Sequence, residues 1–154
     1  MTTESIPLRS LVDGVGHACE SVANAVTNLG KGVTTPQIGI RSMAAECLAT
    51  KTVLRRVQNI LATWDSDDLR TALEADGRPP EKLEACFEVL VHSISKILLD
   101  VNYEIKRLRR YSTSGDPLAS AKYVPALRDV FIDAKIDLRR KRSSLCLVLD
   151  CLQR

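Results

Sequence analysis

The chain has 154 residues, of which 45% are hydrophobic, 27% charged and only 4% aromatic, with a formal net charge of +3. That is the size of one domain, 1–154, large enough to hold a core without metals or disulfides. No run approaches the roughly eighteen apolar residues that a membrane span requires, and an odd set of five cysteines without a Cys-x-x-Cys pair excludes a simple disulfide framework or zinc motif.

In chain order, the start Met1-Thr2-Thr3-Glu4-Ser5-Ile6-Pro7 has no basic stretch followed by an apolar one, so no secretory signal is expected. Leu8, Leu11, Val12, Val15, Ala18, Cys19, Val22, Val26 and Leu29 then recur at spacings of three and four, which predicts one continuous helix. Ser5 and Pro7 are its start signals, and Gly30 and Gly32 its stop signals. Its other face carries Ser10, Asp13, Gly14, Gly16, His17, Ser21, Asn24, Thr27 and Asn28, with few charges. Each interior glycine costs a helix about 1 kcal/mol relative to alanine, so this helix is amphipathic and intrinsically soft.

Residues 32–36 read as a linker. A second helix is predicted over about 37–63, with Ile40, Ala44, Cys47, Leu48, Leu54, Val57, Ile60 and Leu61 inward. Asp65 or Ser66 caps a short helix through Ala75, with Asp67 and Asp68 at its positive end, and Trp64 reads as a partly buried anchor. Asp76-Gly77-Arg78-Pro79-Pro80 is a break. The third long helix, from Glu81 to Tyr111, has Leu83, Phe87, Leu90, Ile94, Ile97, Leu98, Val101, Ile105 and Leu108 in helical period. Glu81, Glu84 and Glu88 open it and Lys106, Arg107, Arg109 and Arg110 close it, in keeping with the helix dipole. Residues 112–117 end it. A fourth long helix is predicted from near Val124 to Leu152, with Pro125 in its first turn and Leu127, Val130, Phe131, Ala134, Leu138, Leu145, Val148, Leu149 and Leu152 inward. The expected fold is all-α: a bundle of four long helices and one short one, mostly antiparallel, without strands.

Cys19, Cys47, Cys86, Cys146 and Cys151 all sit in apolar stretches and read as reduced core residues of a cytoplasmic protein. His17 and His92 lie in different helices and read as structural. No phosphate-binding glycine loop, nucleophile elbow or nucleophile–base pair is visible, so no enzyme and no cofactor or metal are expected. Charge is uneven: residues 1–105 carry 10 Lys/Arg against 14 Asp/Glu, whereas residues 106–142 carry 11 against 4. The basic residues Lys106, Arg107, Arg109 and Arg110, and Lys135, Arg139, Arg140, Lys141 and Arg142, suit an anionic lipid surface or an acidic partner. Nucleic acid is not expected, because stacking aromatics are missing among them. The plainer reading is a solvated face pairing at i,i+4 with Asp129, Asp133 and Asp137.

Three features are shared with a known family: the glycine-containing, weakly charged N-terminal helix, the long Glu/Lys-flanked middle helix, and the closing run Arg140-Lys141-Arg142-Ser143-Ser144-Leu145-Cys146-Leu147-Val148-Leu149. In these the chain resembles the HeLo-like N-terminal domain of fungal STAND receptors of the NLR type and related cell-death proteins, over nearly its whole length. The resemblance implies an innate-immunity effector joined to a downstream receptor or signalling domain. It implies self-association, and movement from the cytoplasm to the plasma membrane on activation. It also implies pore-forming permeabilisation by the segment from Ile6 to Leu29, with Leu8, Leu11, Val12, Val15, Val22, Val26 and Leu29 as the membrane-active face. The alternative is a homotypic interaction or adaptor module without membrane activity.

Overall fold

The computed structural model describes residues 7–31, 40–63, 71, 73–75, 77, 80–113 and 117–152. Four long helices dominate: α1 (Leu8–Lys31), α2 (Ile40–Ala62), α4 (Pro80–Thr113) and α5 (Pro117–Leu152). A short helix, α3, includes residues 73–75. No strand occurs among the described residues.

Each long helix contributes a seam of buried residues spaced alternately by three and four. The seam is Val12, Val15, Cys19, Val22 and Val26 in α1, and Met43, Cys47, Thr50, Leu54, Val57 and Leu61 in α2. In α4 it is Phe87, Val91, Ile94, Leu98, Val101 and Ile105. Such spacing keeps one narrow stripe facing the partner helices, as in coiled coils and four-helix bundles. The seams merge into one apolar core, which Leu73 of α3 joins. In α5 the seam runs Leu127, Phe131, Ala134, Leu138, then skips to Leu145 and Leu149. The gap at 141–142 is filled by cations.

The polar ties give the directions. In α1 and α2, residue 9 meets 61, 13 meets 58 and 20 meets 51, so the pair is antiparallel. Residues 97–104 of α4 line a cleft with residues 130–137 of α5, the pairing of a second antiparallel hairpin. The hairpins stack with α2 beside α5 and α1 beside α4. Across α2 and α5, residue 42 meets 135, 46 meets 139 and 56 meets 150, so these two helices run in the same direction. Among the described residues the backbones of α1 and α5, and of α2 and α4, do not come within 8 Å of each other, so these pairs are the diagonals of the square.

The ends follow local chemistry. Pro7 precedes α1, and its carbonyl accepts the Leu11 N–H at 3.0 Å, closing the first turn. At the end of α2, the Ile60 carbonyl accepts both the N–H and the hydroxyl of Thr63, at 3.0 and 2.8 Å. Gly77 has φ of 72° and donates its N–H to the Glu74 carbonyl at 3.1 Å, the left-handed cap that favours glycine after a helix.

Several expectations change. Helix α5 starts at Pro117, not near Val124, so Pro125 lies inside it and leaves a carbonyl one turn back without its helical donor. Pro117 itself supplies the fixed φ that a first turn accepts. Leu48 is 49% exposed, because the α2 seam passes through Cys47 and places its neighbour about 100° round the helix. Met43, Thr50 and Val53 are buried in its stead. Of the cysteines, only Cys19 and Cys47 are core; Cys86 and Cys151 are exposed and Cys146 is half-buried. Ser5, Ile6, the linker from Gly32, Trp64 and the cap residues Asp65, Ser66, Asp67 and Asp68 lie outside the described residues.

Candidate functional site

Helix α1 separates its faces sharply. Val12 and Val26 are fully buried, Val15 and Val22 nearly so, and Leu8, Leu11 and Leu29 pack half-buried at the margins. In this arrangement the apolar stripe faces α2 and α4, not solvent. Its polar side is tied to α2 from outside the core. The Lys51 ammonium donates to Glu20 Oε2 at 2.6 Å, and Gln58 Nε2 donates to Asp13 Oδ1 at 3.1 Å. Arg9 donates to the Leu61 carbonyl. The Lys51 hydrogen bond and charge hold the Glu20 carboxyl below the ordinary Glu range. His17 Nε2 lies 3.6 Å from Asp13 on the exposed side. A shallow cleft of about 160 Å³ opens there, lined by Asp13, Gly16, His17, Lys51, Leu54, Arg55 and Gln58.

Gly14 and Gly16 have nothing within 4 Å of where a Cβ would stand, and neither has a positive φ. Packing therefore does not require glycine at either position. Both lower the helical preference of α1 without a steric return inside this bundle.

Beneath α1, Cys19 and Cys47 lie fully buried on facing seams of α1 and α2. Burial pushes both thiols up to about 12; coupling to the neighbouring Cys47 thiol adds to it for Cys19, and the Glu46 carboxylate adds to it for Cys47. At neutral pH both are protonated and poor nucleophiles.

The basic residues fall into two groups that do not merge. Lys106 and Arg110 are exposed on α4, and Arg107 lies 3.6 Å from Glu104 with its guanidinium 5.8 Å from the Tyr103 ring centre. The Arg109 side chain lies outside the described residues. In the antiparallel hairpin, this end of α4 lies alongside the start of α5. The second group, Lys135 to Arg142, is therefore roughly 20 Å away along the bundle at 1.5 Å per residue. Between the two groups runs the α4–α5 cleft of about 350 Å³, walled by Asp100, Glu104, Asp133 and Asp137 over Ile97, Val101, Val130 and Ala134.

The second group is not the self-paired solvated face that its spacing suggested. Among the described residues, no ion pair joins its cations to Asp129, Asp133 or Asp137. Its partners are on α2. Arg139 Nε donates to Glu46 Oε1 at 2.6 Å, Arg142 Nη1 donates to Glu46 Oε2, and Lys135 Nζ donates to Ser42 Oγ at 2.8 Å. Glu46 is only 9% exposed. Burial pushes its carboxyl up, but the two guanidinium hydrogen bonds outweigh burial and hold it below the ordinary Glu range. Arg140 is exposed and Lys141 half-buried.

Glu46 is the residue that sequence reading missed. Two signals pointed to it: a carboxylate three residues after Met43 and four before Thr50, on the inner face of α2, and the missing apolar step between Leu138 and Leu145 in α5.

No helix among the described residues is long and apolar enough to cross a membrane. Among the same residues, no group of three or more His, Cys, Asp or Glu side chains is placed to hold a metal ion. Compared with protein-family models, curated proteins and solved structures, the chain matches none.

Proposed function

We propose that this bundle is a cell-death effector that acts on membranes, of the kind the HeLo-like resemblance implies. It self-associates, releases α1 from its seat and permeabilises an anionic plasma-membrane leaflet, under the control of an attached receptor or signalling domain. The observation that carries this reading is the design of α1. Its apolar face is complete, its outward face carries few charges, and its two glycines answer no packing demand. A helix of this kind buries the same stripe in a bundle or at a lipid interface at little polar cost. A switch of this sort needs a segment that is buried first and released later, with the ligand favouring the released state. The exposed cations Lys106, Arg110 and Arg140 add roughly 1 kcal/mol each near an anionic leaflet.

Cys19 and Cys47 are built-in reporters of that release. The test is maleimide labelling of the intact chain with anionic or neutral vesicles, read residue by residue with dye leakage measured in parallel. Exposed Cys86 and Cys151 serve as internal references. Faster labelling of Cys19 and Cys47, together with leakage, on anionic vesicles alone is the expected result. Unchanged labelling without leakage, from monomeric and from chemically cross-linked protein, overturns the reading.

A second reading rests on a different observation. Val89, Leu99 and Tyr103 on α4, and Ile132, Ile136 and Leu147 on α5, are large apolar side chains open to solvent. They suit a homotypic or adaptor module that binds protein through the α4–α5 hairpin and never meets lipid. That reading predicts concentration-dependent association in light scattering that Ile136→Ser weakens, with α1 seated throughout.

A further inference from the structure

The α2–α5 seam holds a carboxylate where its neighbours hold methyl groups. Glu46 follows Met43 by three residues and precedes Thr50 by four, both fully buried. Opposite it, the apolar seam of α5 lapses between Leu138 and Leu145, and Arg142 occupies the lapse with its side chain 22% exposed. Each carboxylate oxygen takes one guanidinium, Arg139 on Oε1 and Arg142 on Oε2. Eleven residues on from Arg139 along α5, Asp150 lies 3.7 Å from Arg56, and Lys135 meets Ser42 on the other side of the clamp. An ion pair whose carboxylate is buried adds little net stability over well-packed apolar residues, so it is a weak way to hold a bundle together. Its better-attested use is to specify one register or one state, because any other alignment strands the charges.

The clamp also joins elements that the chain does not. Helices α1 and α2 form one hairpin, and α4 and α5 the other, so the α2–α5 seam is a meeting of two separate units. Three of the five cations in the stretch 135–142 are turned onto α2 here: Lys135, Arg139 and Arg142. We propose that Glu46 is an autoinhibitory latch: seated between Arg139 and Arg142, it docks the α4–α5 hairpin on α2 and occupies those cations with its own carboxylate in place of outside anions. Opening the latch separates α2 from α5 and turns the basic stretch into an anion-binding surface. The structural half stands on the clamp alone. The use of that surface on lipid rests on the membrane reading above.

The test compares Glu46→Gln with Asp133→Asn, an exposed carboxylate on α5 whose loss changes net charge equally. Hydrogen exchange is followed over residues 42–50 and 135–145, and binding of inorganic tripolyphosphate is titrated. The latch predicts faster exchange in both segments and about tenfold tighter binding for Glu46→Gln, and neither for Asp133→Asn. Equal behaviour of the two variants overturns it. If Glu46→Gln fails to fold, Arg139→Lys replaces it at constant charge, since a lysine loses the planar fork; unchanged exchange there also overturns the latch. A parallel titration with phosphatidylserine vesicles separates the two ideas. Tighter tripolyphosphate binding without tighter vesicle binding keeps the latch and sinks its membrane use. Gains in both support the two together.

Discussion

Helix α2 is gripped on two sides by different physics. On its α1 side the grip is an apolar seam with polar ties outside it: Glu20 to Lys51 and Asp13 to Gln58, both exposed. On its α5 side the grip includes a nearly buried carboxylate between two arginines. Exposed ion pairs add little, because solvent and salt screen them and two long side chains must be ordered. The α1 seat therefore depends on apolar contact and shape, which a lipid interface reproduces. The α5 seat depends on one charge arrangement, which lipid does not reproduce and which fails if a single partner is lost. On the proposed membrane reading the α1 side of α2 can exchange surroundings, while the α5 side holds one register for as long as the Glu46 clamp is closed.

The most damaging way to break the comparison is a charge on the α1 seam. Val22→Asp places a carboxylate at a site 4% exposed, with no cation on the seam to meet it. The expected loss is more than about 4 kcal/mol, a large part of the roughly 5–15 kcal/mol that holds an ordinary domain folded. Urea titration followed by circular dichroism measures it. Any effect of this variant on vesicles has to be read against that loss.

Next comes the clamp. Glu46→Ala leaves two guanidiniums without their anion, though Arg139 is 57% exposed and turns to water readily. The expected cost is about 2 kcal/mol. The pH dependence carries its own sign. The folded Glu46 carboxyl sits below its unfolded value, so the clamp's stabilisation is fully present above the ordinary Glu range. It is lost as pH falls through the depressed folded value. Comparing wild type with Glu46→Gln by urea titration, the gap holds constant from neutral pH down to the ordinary Glu range and closes as the pH falls on through the depressed folded value. A gap that widens on acidification contradicts a carboxylate stabilised by those arginines.

Most of the fold was legible because the apolar residues repeat by threes and fours, and that repeat alone fixes a seam, a facing partner and a bundle. The seam residues from Phe87 to Ile105 in α4 show this best. Leu48 was misplaced because a stripe drawn too wide admits a residue about 100° off the seam. The candidate site was legible only in part. The stripe of α1 stands where its period put it, yet the cations of 135–142 were assigned to Asp129, Asp133 and Asp137 on their own helix. Local spacing records which side chains share a turn. It does not record that α5 lies parallel to α2, and that tertiary fact delivers Arg139 and Arg142 to Glu46, more than ninety residues away in sequence.

The smallest effect sharpens the comparison most, because it changes α1 without touching its seat. At Gly14 and Gly16 a Cβ meets nothing within 4 Å, and the backbone there is ordinary helix. Gly14→Ala and Gly16→Ala should each stabilise the bundle by about 0.5–1 kcal/mol, through helix preference and a less disordered unfolded chain. Thermal unfolding reads this directly. The two readings of the protein then part. If α1 serves only as a bundle helix, the double variant is more stable and otherwise unchanged. If α1 must leave its seat, the softness given by those glycines is functional. Because α1 stays helical on a membrane as well, the alanines discriminate only if release passes through a partly unwound helix. In that case Cys19 labelling on anionic vesicles slows while their leakage falls with it. If the wild type labels and leaks on anionic vesicles and the more stable variant does so equally, α1 moves as an intact helix and the glycines serve neither seat nor release; if neither protein labels or leaks, α1 is a bundle helix only.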